Sequence, residues 1–281
     1  EYFKETNVIN TMTHLLEPKT LEAFIGREDI VIIDLCNPML YQKRHVPGAI
    51  FLDRLNLISN TPPATGKHPS FTEIKYLVEQ LGISNNKHTV IYDDEGGGWA
   101  GRLAWILDLI GLNSWSYLNG GIVAWINEGH QTEDIINQPT PSEVDIGNDF
   151  SNPNAAISTN KILENLGSGA FTIWDARSPL EFSGERTISA RGGHIPGAIN
   201  LEWTELIDQN KNLRIRSDAQ TLLNNAGLTC NKNIITHCQT HHRSSFTYMV
   251  ARILGYKNII GYDGSWSEWG NLDHTPTEFG L

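Results

Sequence analysis

The chain repeats itself, and this limits its fold more than any other feature. His45-Val46-Pro47-Gly48-Ala49-Ile50 returns 149 residues later as His194-Ile195-Pro196-Gly197-Ala198-Ile199. Upstream of each copy an apolar run ends in an acid: Val31-Ile32-Ile33-Asp34, and Phe171-Thr172-Ile173-Trp174-Asp175. Downstream, Gly111 and Gly255 close periodic apolar segments. Gly120-Gly121 with Trp125 then matches Gly264-Ser265 with Trp269, again at an offset of 144. Landmarks that recur in one order over about 100 residues mark a duplicated unit. A length of 281 residues accommodates two units of ordinary domain size.

The stretch 131–156 separates the copies. It is polar and contains Pro139, Pro141, Gly147 and Pro153, the composition of a partly extended linker. The chain is therefore divided into residues 1–135, a linker at 136–156, and residues 157–281. Short apolar runs at 31–33, 90–92 and 115–118 are matched by runs at 171–174, 234–236 and 259–260. Between them, Leu103, Ile106, Leu107 and Ile110 predict a one-faced amphipathic helix, as do Phe246, Met249, Val250, Ile253 and Leu254. Wholly apolar strands alternating with helices predict an α/β fold with a parallel sheet flanked by helices in each half.

Composition narrows the function. No apolar run approaches the ~18 residues of a membrane span. The first twenty residues carry Glu1, Lys4, Glu5, Glu17, Pro18 and Lys19, without the apolar stretch of a leader. A net charge of −11 argues against nucleic acid as a partner. Bulk repulsion of anions is screened within about 8 Å, so an anion site has to be built locally. Three cysteines, Cys36, Cys230 and Cys238, do not make a disulfide framework and fit a reducing compartment, the cytoplasm.

The segment Ile234-Ile235-Thr236-His237-Cys238-Gln239-Thr240-His241-His242-Arg243-Ser244-Ser245 carries the chemistry. A buried strand ends at Thr236, and a helix is expected from about Ser244, with Ser244 or Ser245 as its N-cap. Cys238 then opens a loop at the carboxyl end of a parallel strand, where open α/β sheets bind ligands. Loop N–H groups and a helix N-terminus form an anion nest that favours a thiolate over a thiol of ordinary pKa, about 8.5. Arg243, His241, His242 and His237 are expected to add positive charge. A buried, inert cysteine is the competing reading, and five consecutive polar residues from Gln239 to Arg243 weigh against it.

With these residues the chain resembles the tandem-domain rhodaneses, the thiosulfate and 3-mercaptopyruvate sulfurtransferases. The resemblance runs from about residue 15 to 275 and rests on the repeat, on Arg191-Gly192-Gly193-His194-Ile195-Pro196-Gly197-Ala198, on the loop Cys238 to Arg243, and on Tyr262-Asp263-Gly264-Ser265-Trp266-Ser267-Glu268-Trp269. The loop is most similar to a bacterial Cys-Gln-Thr-His-His-Arg type. The resemblance implies a catalytically silent N-terminal copy, and counting back 144 residues from Cys238 reaches Asp94, a carboxylate. It implies ping-pong sulfur transfer: Cys238 takes sulfur from a small anionic donor such as thiosulfate, becomes a persulfide, and passes the sulfur to cyanide or a thiol. Gln239, Thr240, His241, His242, Arg243 and Arg186 are the expected substrate-binding set, with Asp175 and Arg177 behind them; no metal or organic cofactor is implied. Two features depart from the pattern. Glu181 stands where related enzymes place an Arg, and the loop lacks the Arg-Lys-Gly or Gly-Ser-Gly of the better known members. Arg186, Arg191 or the loop histidines are left to hold the donor.

Alternatives follow from the same residues. His237-Cys238 with Arg243 resembles a phosphatase loop, but Cys-x4-Arg is one residue shorter than that cradle needs. Cys230, His237, Cys238, His241 and His242 are metal-ligand types, yet Cys-x7-Cys-x2-His-His is not a usual zinc spacing. The donor is alternatively 3-mercaptopyruvate, or the protein is a persulfide carrier serving a protein partner. Cys36 reads as filler and Cys230 has no assigned role. The duplicated His45 and His194, and Asp34 with Asp175, read as structural. Trp266 and Trp269 read as core, with Trp266 a lesser candidate to wall the site.

Overall fold

The computed structural model describes residues 12–281; Glu1, Lys4 and Glu5 of the no-leader reading lie outside the described residues. In the N-terminal half the strands are β1 (Leu15–Leu16), β2 (Ile30–Asp34), β3 (Ile50–Phe51), β4 (His88–Tyr92) and β5 (Trp115–Leu118), all parallel in the order β1-β5-β4-β2-β3. In the C-terminal half β6 (Thr172–Asp175), β7 (Ile199–Asn200), β10 (Ile234–His237) and β11 (Ile259–Gly261) form a parallel sheet in the order β11-β10-β6-β7. A bridge from Ala156 to Gly261 stands in for β1 there. Between β7 and β10 lies an antiparallel pair, β8 (Ile207–Asp208) and β9 (Arg214–Ile215). All six apolar runs of the sequence are strands, and the two-residue strands are too short for a pattern to mark.

The helices are α1 (Pro18–Glu22), α2 (Pro38–Lys43), α3 (Phe71–Gln80), α4 (Gly98–Leu109) and α5 (Gly121–Asn127), then α6 (Thr159–Asn165), α7 (Pro179–Ser183), α8 (Ala219–Asn225), α9 (Arg243–Ile253) and α10 (Ser265–Trp269). Alternation along each strand divides the core. Ile32 and Val90 face an outer cluster with Leu21, Val46 and Trp125, and Ile173 and Ile235 face its counterpart with Ile195, Trp266 and Trp269. Val31, Ile33, Ile91 and Ile234 face inward onto α4 and α9, in one core shared by both halves.

The one-faced reading of α4 is corrected here. Gly98 and every residue from Ala100 to Leu109 are buried, because the helix lies between its own sheet and α9. Small residues allow the approach: a Cβ on Gly101 would stand 2.4 Å from the carbonyl oxygen of Ser245. α9 is also enclosed over Ser244–Ala251.

The duplicated histidines hold chain turns. His45 pairs with Glu133, and His194 with Glu278, as isolated antiparallel bridges. His45 Nδ1 lies 2.6 Å from the Tyr41 carbonyl, and His194 Nδ1 2.8 Å from that of Phe182. Each half thus closes with a tail clamped on its own Pro-Gly-Ala turn. The segment 131–152 runs along the N-terminal half, where Ser142 N–H donates to Glu79 and Asp145 N–H to Asn85.

Candidate active site

Cys238 follows the last residue of β10 and is 1% exposed. Its loop is fixed from below by the start of α10: Cys238 N–H donates to Ser265 Oγ at 3.3 Å, Trp266 N–H donates to the Cys238 carbonyl at 2.9 Å, and Ser267 N–H to that of Gln239 at 2.9 Å. Burial alone would push the thiol up. It is outweighed by the Arg243 guanidinium, by the Ser244 hydroxyl, and by the N–H groups of Ser244 and Thr240, all of which favour the thiolate; the net direction is down.

α9 begins at Arg243, one residue before the expected start, and no side chain caps it. The expected caps are used otherwise. Ser244 Oγ lies 2.7 Å from His241 Nδ1, and the Ser245 hydroxyl donates to the His241 carbonyl. The Ser244 N–H in the first turn is left to the sulfur, while that of Ser245 donates to the His242 carbonyl at 3.1 Å. His241 has a φ of 58°, the left-handed turn that curls the loop around Cys238.

The structure explains Glu181 at the position of the expected Arg. Its carboxylate accepts both Arg243 nitrogens, at 2.7 and 2.8 Å, and caps α7 with Ser178. Burial raises the Glu181 carboxyl, but Arg243 and Ser178 more than offset this and hold it at about 2. Behind the loop, Arg177 clamps Asp175 at 2.6–3.1 Å, donates to the Gly193 carbonyl, and lies 4.4 Å over the Trp266 ring. Asp175 Oδ2 is 3.5 Å from His237 Nε2.

Several expected donors of positive charge do not serve as such. His237 and His241 are fully buried, and burial lowers both, His241 strongly, so they are neutral near pH 7. His241 packs edge-on to Trp105 at 4.6 Å. His242 is half-buried and pairs with Glu95 of the other half, between Trp99 and Trp203. Arg191 is spent on the carbonyls of Trp269, Leu272 and Thr275. Arg186 is exposed beyond α7. Gln239 Nε2 donates to Ser189 at 3.0 Å, and Thr240 is half-buried. Trp266 and Trp269 belong to the core. Cys230 is exposed, Cys36 is buried, and among the described residues no group of three His, Cys, Asp or Glu is placed to hold a metal ion.

Sheet register corrects the residue assigned to the silent loop. Tyr92 pairs with Asp34 as His237 pairs with Asp175, so Cys238 corresponds to Asp93 and not to Asp94. Ile122 N–H donates to the Asp93 carbonyl as Trp266 N–H does to that of Cys238. The loops are of equal length, and Gly98 opens α4 where Arg243 opens α9. The Asp93 carboxylate lies inside its own loop and accepts N–H groups of Glu95, Gly97, Trp99 and Ala100 at 2.8–3.1 Å. Burial pushes it up to about 6, which leaves it ionised at neutral pH.

Sequence reasoning missed the residues that reach the active loop from the other half. Gly66 abuts the Thr240 backbone so closely that a Cβ would stand 2.0 Å from the Thr240 oxygen. Arg102, 0% exposed, donates to the carbonyls of Leu57, Gly66 and His241. A single cation within the apolar run of α4 is the available signal for Arg102; nothing local marks Gly66.

The rhodanese-like domain family matches the chain twice, over residues 17–128 and 158–272. The chain is similar to the thiosulfate sulfurtransferase of Azotobacter vinelandii, 43% identical over 264 residues that cover 94% of this chain and 96% of that protein. It is also similar to that of Pseudomonas aeruginosa, 41% identical over 273 residues, 97% of this chain and 99% of that one. Among solved structures, the anaerobic ergothioneine biosynthesis enzyme of Chlorobium limicola, in complex with trimethyl histidine, matches with a TM-score of 0.84. It is 23% identical, with 100% of this chain and 72% of that chain covered, a likeness of fold.

Proposed function

The chain belongs to the rhodanese family, and from that premise we propose that it is a thiosulfate sulfurtransferase working through a persulfide on Cys238. The observation that carries the reading is the shared cradle. The thiol stands where the silent half holds a carboxylate on four N–H groups, in a loop that favours negative charge.

The thiolate attacks the outer sulfur of thiosulfate. The S–S bond of the donor breaks, its electron pair leaves with sulfite, and Cys238 carries the outer sulfur as a persulfide. An acceptor nucleophile, cyanide or a thiol, attacks that sulfur and returns the electron pair to Cys238. The Thr240 and Ser244 N–H groups and the Ser244 hydroxyl serve the anion at both stages. Arg243, steadied by Glu181, supplies positive charge beside the sulfur. Each step is a displacement at sulfur in which one electron pair is gained and one released, so the scheme draws on no metal or organic cofactor. No helix among the described residues is long and apolar enough to cross a membrane. Three unpaired cysteines, one of them a reactive thiol, suit the cytoplasm.

Intact mass after thiosulfate treatment tests the reading. The expected result is a gain of one sulfur atom, removed by cyanide with release of thiocyanate and absent in Cys238→Ala. Sulfur uptake from 3-mercaptopyruvate but not from thiosulfate reassigns the donor. A persulfide that forms without turnover reassigns the protein as a carrier, and no uptake from any sulfane donor overturns the reading.

A further inference from the structure

We propose that Arg102 is a positioning residue for sulfur transfer: from the half whose own loop holds Asp93 in place of the thiol, it brings a fixed, buried cation to Cys238 and pins the carbonyl at the turn of the active loop. This rests on the reading of Cys238 as the sulfur carrier.

The first argument is the company Arg102 keeps. Among the described residues its hydrogen bonds go to the carbonyls of Leu57 at 3.2 Å, His241 at 3.5 Å, and Gly66; none goes to a carboxylate. The guanidinium lies 4.7 Å over the Trp105 ring, whose other ring neighbours are His241 and His68. Burying a cation without an ion-pair partner is costly, and a neutral donor would bridge carbonyls without that penalty. Burial lowers Arg102 only to about 10, so it is charged at neutral pH, and the two anions that favour its charged form are Asp263 and the Cys238 thiolate.

The second argument is connectivity. Arg102 holds the His241 carbonyl, His241 Nδ1 meets Ser244 Oγ, and the Ser244 hydroxyl favours the Cys238 thiolate. With Nδ1 protonated, the Ser244 hydroxyl is left to donate to Cys238.

The third is the internal control that the duplication provides. By sheet and loop register, the α9 counterpart of Arg102 is Thr247, which bonds Thr236 and the Ser244 carbonyl within its own half. α4 carries a cation toward the thiol loop, while α9 carries none toward Asp93. Arg102 adds to Arg243, the cation that most favours the thiolate, and differs from it in facing no carboxylate: Arg243 is paired with Glu181 and Arg177 with Asp175, while burial keeps His237 and His241 neutral. Asp263, with His68 at 3.9 Å, is the nearby acid.

The test is the pH dependence of Cys238 alkylation by iodoacetamide, followed at the Cys238 peptide in full-length protein. Arg102→Met and Arg102→Gln are expected to raise the midpoint by about one pH unit, making alkylation roughly ten-fold slower at a fixed pH below it. Thiocyanate turnover should fall through kcat more than through KM. Arg102→Lys keeps the charge and loses the fork; it should restore the midpoint, which a purely structural strut would not. A folded Met or Gln variant with the wild-type midpoint overturns the proposal. So does failure of all three variants to fold, which would make Arg102 a core residue only. Alkylation needs no sulfur donor. A wild-type protein that takes up no sulfur therefore refutes the sulfur-carrier reading separately from the role of Arg102 at the thiol.

Discussion

The two strand-to-helix loops, Asp93–Gly98 and Cys238–Arg243, are one backbone device with opposite fillings. Both follow the central strand of a parallel sheet, both have six residues, and both open onto a buried helix. In the first, a carboxylate on the loop's own first residue satisfies four N–H groups, so the cradle is closed. In the second, a thiol occupies that position and recruits N–H groups, a hydroxyl and a guanidinium. The fold thus supplies an anion cradle twice. Chemistry requires a side chain that can give up what it holds, together with charge brought in from outside the loop.

Breaking the comparison at its centre has the largest expected effect. Cys238→Ala should lower thiocyanate production by about a thousand-fold or more, the scale on which loss of a nucleophile is felt. The sharper experiment adds Asp93→Cys to Cys238→Ala. The new thiol would sit in an N–H cradle, but Gly98 stands in place of Arg243, and Trp99 in place of the Ser244 hydroxyl. No sulfur gain is expected in the intact mass. Sulfur on the introduced thiol would mean that the cradle alone makes the persulfide.

The helices that follow the loops give the next effect. Gly101 on α4 meets the Ser245 and Phe246 backbone of α9, where a methyl group would lie 2.4–2.7 Å from main-chain atoms that cannot yield without moving a helix. Gly101→Ala gains about 1 kcal/mol of helix propensity but should lose stability on balance, by about 2 kcal/mol, through overpacking. Urea unfolding checks this. Because α9 carries the active loop, turnover should fall with stability, and an undisturbed turnover would show that the loop is insulated from helix contact.

How far the sequence discloses this arrangement depends on the range of the interaction. Strands such as Val31-Ile32-Ile33-Asp34 and Ile234-Ile235 are legible because burial on both faces writes a short apolar run, and Cys238 is legible because the loop around it is polar. The second face of α4 is not, since it meets the start of α9 through Gly98 and Gly101, which carry no side chain to write an apolar pattern while allowing close backbone contact. His241 looks ionisable in a polar loop and is neutral because Trp105, 136 residues away, covers it. Counting by motif misplaces the silent counterpart by one residue because the motifs recur at offsets of 149 and 144, whereas strand register sets this position at 145. Glu181 reads as hostile to an anionic donor only while its partner, Arg243, is unseen.

That pair gives the smallest effect and tests the charge balance of the active loop most directly. Glu181 ionises at about 2 in the folded protein, below the roughly 4.3 of an unfolded glutamate. A depressed carboxylate adds stability that is fully present above the unfolded value and is lost as pH falls through the folded one. The wild type should therefore lose stability between about pH 4.5 and pH 2. Discounting for Arg243, 21% exposed, the loss should be about 2 kcal/mol. Glu181→Gln should flatten that limb in urea titrations at stepped pH, because the amide does not titrate. The same substitution leaves the Arg243 charge uncompensated beside Cys238. At neutral pH the variant should be less stable by about 1 kcal/mol, yet bind thiosulfate with a KM lowered a few-fold, since an anionic donor meets more positive potential at the loop. An unchanged KM would mean that Arg243 serves the thiolate and the loop alone, and that the donor is held by other charges at the rim.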